Sequence, residues 1–456
     1  MNKILRLSTL FIFVALFTIN CSVKQSPPSS SSDTGVQRIS DDSLLTLTQE
    51  RTFRYFWDGA EPHSGMARER YHVNGVYPQN DKNVVTTGGS GFGIMAILVG
   101  IKRHFITEQQ GVNRLEKIVN FLENADRFHG VYPHWLHGET GRVKPFSQKD
   151  DGGDLVETSY LVQGLLTARQ YLRKDGGQEE KLLATEIDSL WRTVEWDWHT
   201  KGGENVLYWH WSPDYGWAMN FPIHGYNETL ITYVLAASSP THGVSAEVYH
   251  QGWAQNGDIK ANVTTYGYQL QLRHNGSEKY GGPLFWAHYS YLGMDPHGLV
   301  DRYANYWKEN KDQTLINREW CIKNPKGYKG YGKDLWGLTA SYSISGYVAH
   351  KPGHDLGVIS PTAALSSFPY TPDYSMDVLE NLYYNYGDKT FGPYGFFDAL
   401  SVDKNWYPKK YLAIDQGPIV DMIENYRSGM LWDLFMSSPE VQKGLKKLGF
   451  QSPHFN

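Results

Sequence analysis

The chain has 456 residues, with 43 Lys and Arg against 48 Asp and Glu for a formal charge of −5. Hydrophobic residues at 40% and charged residues at 20% exclude a largely disordered chain. The mild acidity leaves no electrostatic footprint for nucleic acid, and two cysteines, Cys21 and Cys321, exclude a disulfide scaffold. The unusual entry is aromatic: 15 Trp, 31 Tyr and 19 Phe, or 14%. Such an excess beside His and Asn suits flat, polar-rimmed ligands such as sugars.

At the N-terminus, Lys3 and Arg6 precede an uncharged apolar run over 7–19, too short to span a bilayer comfortably. It ends in Thr18-Ile19-Asn20-Cys21, a loose lipobox. This predicts a signal peptide over 1–20 with lipid attached at Cys21; an ordinary secreted protein cut nearby is the alternative. Residues 21–40, with Pro27-Pro28 and the serines Ser29–Ser32, read as a flexible tether. The expected location is the periplasm or the outer membrane, with membrane contact through the lipid anchor only. Cys321 is then a lone thiol, expected as a small buried apolar residue.

From 41 to 456 no second linker occurs, and a single domain is predicted. Leu44 to Trp57 opens with a helix, and Leu115, Ile118, Val119 and Leu122 recur at helical spacing. Residues 155–172 are apolar on most faces, as in a helix buried among helices. Helices are also predicted over 378–386 and 419–435, with weak strand patterns at 206–211 and 263–272. Six loops rich in Gly, Pro or Asp run into apolar segments: at Thr86–Gly91, Asp150–Asp154, Pro222–Gly225, Tyr280–Pro283, Gly332–Leu335 and Ala413–Pro418. Their spacing of roughly 50 to 80 residues is that of elaborated helix pairs. The expectation is all-α: six inner helices paired with six outer ones in an (α/α)6 barrel, a toroid with a few short strands. Its inner-helix N-termini would converge on one funnel.

Carboxylates concentrate at these junctions. Asp154-x-x-Glu157 fits a capping box, and equally a pair facing a ligand beside Asp150. Glu228 follows Asn227, a plausible cap, with Trp217, Phe221 and Tyr226 nearby; desolvation would raise its pKa and the helix dipole would lower it. Asp415, just before Gly417-Pro418, reads as a helix start or as an ionised group able to activate water. Glycoside hydrolysis with inversion needs an acid and a base roughly 6.5–9.5 Å apart. A cross-barrel pair fits that better than two carboxylates on one helical turn. Trp217, His224, Tyr226, Trp286, Trp336 and Tyr394 are sugar-contacting candidates in or near the funnel loops. His134-Trp135-Leu136-His137 lacks the spacing and Glu of a zinc helix, and Gly91-Phe92-Gly93 lacks the strand of a dinucleotide fold. No metal and no cofactor are expected.

The run 150–161, the block Trp217–Glu228, Tyr394-Gly395-Phe396-Phe397-Asp398 and Asp415-Gln416-Gly417-Pro418 are similar to the glucoamylase-like proteins, including the β-1,2-glucan hydrolases of glycoside hydrolase family 144. The leader resembles those of Bacteroidetes lipoproteins. The resemblance extends over 41–450 and implies an (α/α)6 barrel, inverting cleavage of β-1,2-glucan polymers or oligomers, and no metal requirement. By motif it implies Glu228 as acid, Asp415 as base, and Asp150, Asp154 and Glu157 as substrate-binding groups, in a protein expected to be a monomer. A non-catalytic glycan-binding lipoprotein, or a hydrolase of another glucan linkage, are the alternatives.

Overall fold

The computed structural model describes residues 38–455; the leader over 1–20, Cys21 and the tether up to residue 37 lie outside them. Helix α1 (Asp41–Trp57) starts at Ser40, whose hydroxyl accepts from the Ser43 amide at 3.2 Å, and it buries one stripe from Leu44 to Phe56. Helix α2 (Thr87–Lys102) is buried from Thr87 to Ile101, as an inner helix enclosed by others must be. Helix α3 (Glu108–Asn124) opens with a Thr107/Gln110 capping box and buries only Val112, Leu115, Ile118, Val119 and Leu122 along its length after Gly111, the pattern of an outer helix. The alternation repeats with inner α4 (Leu155–Asp175) and outer α5 (Gln178–Arg192), then inner α6 (Leu230–Ser238) and an outer π-helical turn, Val248–Trp253.

The fourth inner segment is two 3-10 turns, Leu284–Ala287 and Tyr289–Tyr291, backed by α7 (Tyr306–Lys323). The fifth is α8 (Pro361–Leu365), followed by α9 (Pro372–Glu380) and the short α10 (Gly387–Thr390). The sixth, α11 (Ala413–Ser428), packs against α1, α2 and α8, while α2 packs on α4 and α4 on α6, which closes the ring. Tyr370 donates from its hydroxyl to the Ala287 carbonyl at 2.8 Å, tying the fourth segment to the fifth. The C-terminal α12 (Met430–Met436) and α13 (Pro439–Lys447) cover α4 and α6. This is an (α/α)6 toroid.

Close packing explains the glycines of α2. A Cβ on Gly91 would stand 2.2 Å from the Tyr160 carbonyl oxygen, so α2 and α4 touch backbone to backbone there. Two expectations need correction. Gly332–Leu335 is a turn, and the fifth inner helix begins only at Pro361. The intervening Leu335, Trp336 and Leu338 are buried in extended chain around Gly337 at φ +129°, a conformation no helix tolerates. The run 419–435 is two helices, broken at Gly429 with φ +70°.

Candidate active site

The start of α4 carries the densest set of charges. A two-residue strand, Gly153–Asp154, pairs with His210–Trp211, and the strand Val84–Thr86 pairs with Trp135–His137. These pairings bring His210 and His134 to the same place. Asp154 is fully buried; its Oδ1 accepts from the Val156 and Glu157 amides at 3.1 and 2.9 Å and from Trp209 Nε1 at 2.9 Å. Its Oδ2 lies 3.0 Å from His134 Nδ1 and 3.6 Å from His210 Nε2. Asp150 Oδ2 lies 3.4 Å from His210 Nε2 and 3.9 Å from His134 Nδ1.

Asp154 therefore is the cap, but the box is not closed. Glu157 reaches instead across to α2, where its Oε2 accepts from the Gly88 amide at 2.8 Å. A Cβ on residue 88 would sit 2.6 Å from that oxygen, so glycine is needed for the approach. Burial pushes Glu157 up to about 7 against the pull of His134, with Asp154 adding to the rise. Burial, then the Asp154 charge, push Asp150 up to about 6. Burial opposes ionisation of Asp154 too, but the hydrogen bonds from His134 and His210 prevail and hold it below the usual range.

Burial disfavours the imidazolium of His134, yet Glu157, Asp154 and Asp150 outweigh it and raise the ring to about 9. A raised histidine contributes stability that is complete below its unfolded value near 6.5 and lost as pH rises through about 9. Replacing His134 by Gln should therefore cost on the order of 2–3 kcal/mol at pH 6 and far less at pH 10. Urea unfolding of both proteins across that range checks this; an equal deficit at both pH values would refute it. His134, Asp150 and Asp154 set donor atoms within 4.8 Å of one another, close enough to take a cation. A histidine ligand would have to give up its proton to bind one.

Glu228 lies at the start of α6, on the neighbouring wall. Asn227 Oδ1 accepts from the amide and hydroxyl of Thr229 at 3.0 and 2.6 Å, and the helix begins at Leu230, so Glu228 sits just before the first turn. Its carbonyl accepts from Ser290 Oγ and Tyr160 Oη. Burial wins over the helix start: it pushes the carboxyl up to about 7, and the Glu157 and Asp154 charges add to this. Glu228, Asp150, His134, His210, Phe285 and Trp286 line one cavity of about 850 Å³.

Asp415 is the third residue of α11, not its cap, and it is 1% exposed. Among the described residues no N–H group donates to either of its oxygens. Its polar partner is the carboxyl of Asp398, 2% exposed, whose Oδ2 accepts from the Tyr342 amide at 2.7 Å. Burial, then Asp398, push Asp415 well above the usual carboxylate range. The expectation of an Asp held ionised by helix amides is thus corrected: no amide reaches it.

Over this second wall stands the hairpin of Ala340–Ser343 with Gly346–Ala349. Its Tyr347 is 55% exposed at the rim, yet its phenol feels the charges of Asp415, Asp398, Glu69 and Glu157. Buried Tyr289 likewise feels both Asp415 and Glu157. Glu157 acts electrostatically on Glu228 and on the phenols of Tyr289 and Tyr347 that Asp415 also acts on; neither Glu157 nor Asp415 is among the residues lining the cavity. His134, His210, Asp398 and Tyr347 were not among the sequence candidates. His210 and Tyr347 reach the site on a paired strand and a hairpin, and His134 and Asp398 from residues flanking strands, so their placement depends on long-range pairing.

The aromatic candidates divide. Trp286 lines the cavity. Trp217 packs edge-on against His199 at 5.4 Å and beside Trp198, and it is not a lining residue of that cavity. His224 is half-buried, with its carbonyl accepting from Asn275 Nδ2. Tyr394 is half-buried between Tyr71 and Tyr55, both edge-on to it. Two placements overturn the expectation of sugar contact. Tyr226 is fully buried, its ring tilted against His274 and its hydroxyl donating to Asn310 of α7, so it points out towards the outer layer. Trp336 is fully buried in the core beside α7 and α8.

Residues 220–439 match the family described as Putative glucoamylase. The exo β-1,2-glucooligosaccharide sophorohydrolase (non-reducing end) of Parabacteroides distasonis is 48% identical over 430 residues, or 90% of this chain. The chain spans 58% of that relative's length. The endo-β-1,2-glucanase of Chitinophaga pinensis, solved with sophorotriose and glucose, is 66% identical with a TM-score of 0.91, covering 92% of this chain and all of that one. An endo-β-1,2-glucanase of Talaromyces funiculosus, solved with sophorose, keeps the fold at 11% identity, with a TM-score of 0.62 over 86% of this chain and 87% of its own.

Proposed function

Because the chain belongs to the Putative glucoamylase family, we propose that it is a glycoside hydrolase that cleaves β-1,2-linked glucan within the chain and with inversion. The observation that carries this reading is Glu228: a carboxyl on the wall of a sugar-sized cavity, pushed up to about 7 and so protonated in a good fraction of molecules at neutral pH. A general acid needs that state. Asp415, on a different inner helix, serves as the base in its ionised form, against the upward push of burial and Asp398, and water attacks the anomeric carbon from the face opposite the leaving sugar. Asp150 and His134, which line the cavity, hold sugar hydroxyls, Asp154 and Glu157 fix and tune them from behind, and Trp286 offers an apolar face to a ring.

Internal cleavage is favoured by a 66% identical relative that this chain covers over its full length and that is described as an endo-β-1,2-glucanase. The N-terminal pattern supports an enzyme lipidated at Cys21, in the periplasm or at the outer membrane. We read the enzyme as a monomer, since the cavity is lined by residues of a single chain.

Incubation with linear β-1,2-glucan should release a ladder of reducing oligosaccharides, whose new anomeric protons are α in the first minutes by NMR. No reducing ends from this polymer would sink the activity. A β-anomer formed first would sink inversion, and sophorose as the sole early product would sink internal cleavage.

A further inference from the structure

The fourth inner segment is two 3-10 turns, so it has no α-helical ladder to fix it, yet its Trp286 lines the cavity. What fixes it is polar and lies behind. Outer helix α7 turns Glu309, Asn310 and Gln313 inward on one face, all three fully buried. Glu309 accepts from the Gln271 and Leu272 amides at 2.7 and 3.2 Å, and from His274 Nε2 at 2.9 Å. His274, equally buried, accepts at its Nδ1 from the Gly282 amide, 3.0 Å away. An N–H arriving there needs the Nδ1 lone pair, so the ring proton is on Nε2 and points to Glu309. Gln313 Nε2 donates to the Gly282 and Pro283 carbonyls at 3.2 and 3.1 Å. The Trp286 indole lies directly on that peptide, since a Cβ on residue 282 would run into its ring.

We propose that His274 is a positioning residue for substrate: it passes the hold of Glu309 to the Gly282 amide and so sets the Trp286 ring against a glucose unit of β-1,2-glucan. The proposal rests on the reading of Trp286 as a sugar platform. Tyr226 belongs to the same device, its ring tilted against His274 at 4.5 Å and its hydroxyl on Asn310. Glucose carries no charge and stacks through its C–H groups, so the angle of the indole decides how well a ring binds. Losing that angle weakens ground state and transition state alike, which raises KM and spares kcat.

Replacing His274 by Asn or by Gln separates this from a merely structural role. In H274N the side-chain oxygen takes the place of Nδ1 and still accepts from Gly282. In H274Q the amide reaches Glu309 instead, and the Gly282 N–H loses its acceptor. KM for linear β-1,2-glucan should rise about three- to tenfold in H274Q, the span of one aromatic contact, with kcat little changed. H274N should stay within about twofold of wild type in both constants. Q313M removes the donor to both carbonyls and carries the expectation of H274Q if that variant does not fold. An unmoved KM in folded H274Q or Q313M, or an equal rise in H274N, would overturn the proposal. So would a further rise on adding H274Q to W286A, because the effect must run through the indole. W286A alone is the control: a KM equal to wild type sinks the platform reading and this inference with it, whereas a raised KM there with H274Q unmoved sinks the inference alone.

Discussion

Replacing Glu228 by Gln (E228Q) should lower turnover of β-1,2-glucan by about 10²–10⁴-fold, the span of a lost general acid, while oligosaccharide binding persists. Gln has the same shape, and Glu228 is held by its backbone carbonyl rather than by its side chain. A glycan-binding protein on this scaffold would lose nothing, so the variant separates the two functions. Stability should move the other way. A carboxyl raised from its ordinary value to about 7 destabilises the fold as pH rises through that interval. E228Q should thus match wild type near pH 4.5 and exceed it by up to about 3 kcal/mol above pH 7, less whatever solvent screening removes. Activity lost and stability gained at one position is the signature of a strained functional group. Retention of turnover within tenfold would remove Glu228 from the chemistry.

How far the sequence foretold this arrangement depends on the distance over which each feature is determined. Helices α2 and α4 were legible because burial on every side leaves a continuous apolar run, and α3 because burial on one side leaves a stripe. The capping role of Asp154 was legible for the same reason: cap and capped amides lie within three residues. Glu157 broke the box because a better partner, the Gly88 amide, arrives from another helix. Tyr226 and Glu228 are two residues apart, yet one faces α7 and the other the funnel; their spacing gives no hint of which. The apolar run around Trp336 looked helical because burial in extended chain leaves the same composition. Asp398 was invisible as a member of the second wall because its partners, Asp415 and the Tyr342 amide, lie 17 and 56 positions away.

Removal of Asp154 should have the widest consequences, because a single carboxylate there caps α4, accepts from Trp209, balances the His134 imidazolium and lies 3.6 Å from His210. In D154A the cap is lost, at about 1 kcal/mol, and His134 loses a buried counter-charge, at about 3–5 kcal/mol for a broken buried pair. A depressed Asp pKa contributes stability above its unfolded value and loses it only as pH falls through the folded one, so the deficit should be complete at pH 7. It should shrink above pH 9, where His134 is neutral and needs no counter-charge. D154N isolates the contributions: the amide oxygen still caps the helix, but its NH₂ meets the His134 N–H donor to donor. D154N should therefore recover about 1 kcal/mol of the loss and none of the activity. Asp154 also raises Glu157 and Glu228, so without it both ionise at lower pH, and the alkaline limb of any residual turnover should move down. Urea unfolding at pH 7 and 10, with a pH–rate profile, measures both effects. A D154A protein that unfolds like wild type at pH 7, or keeps its alkaline limb, would show that the network at the α4 N-terminus does not govern the acid on α6.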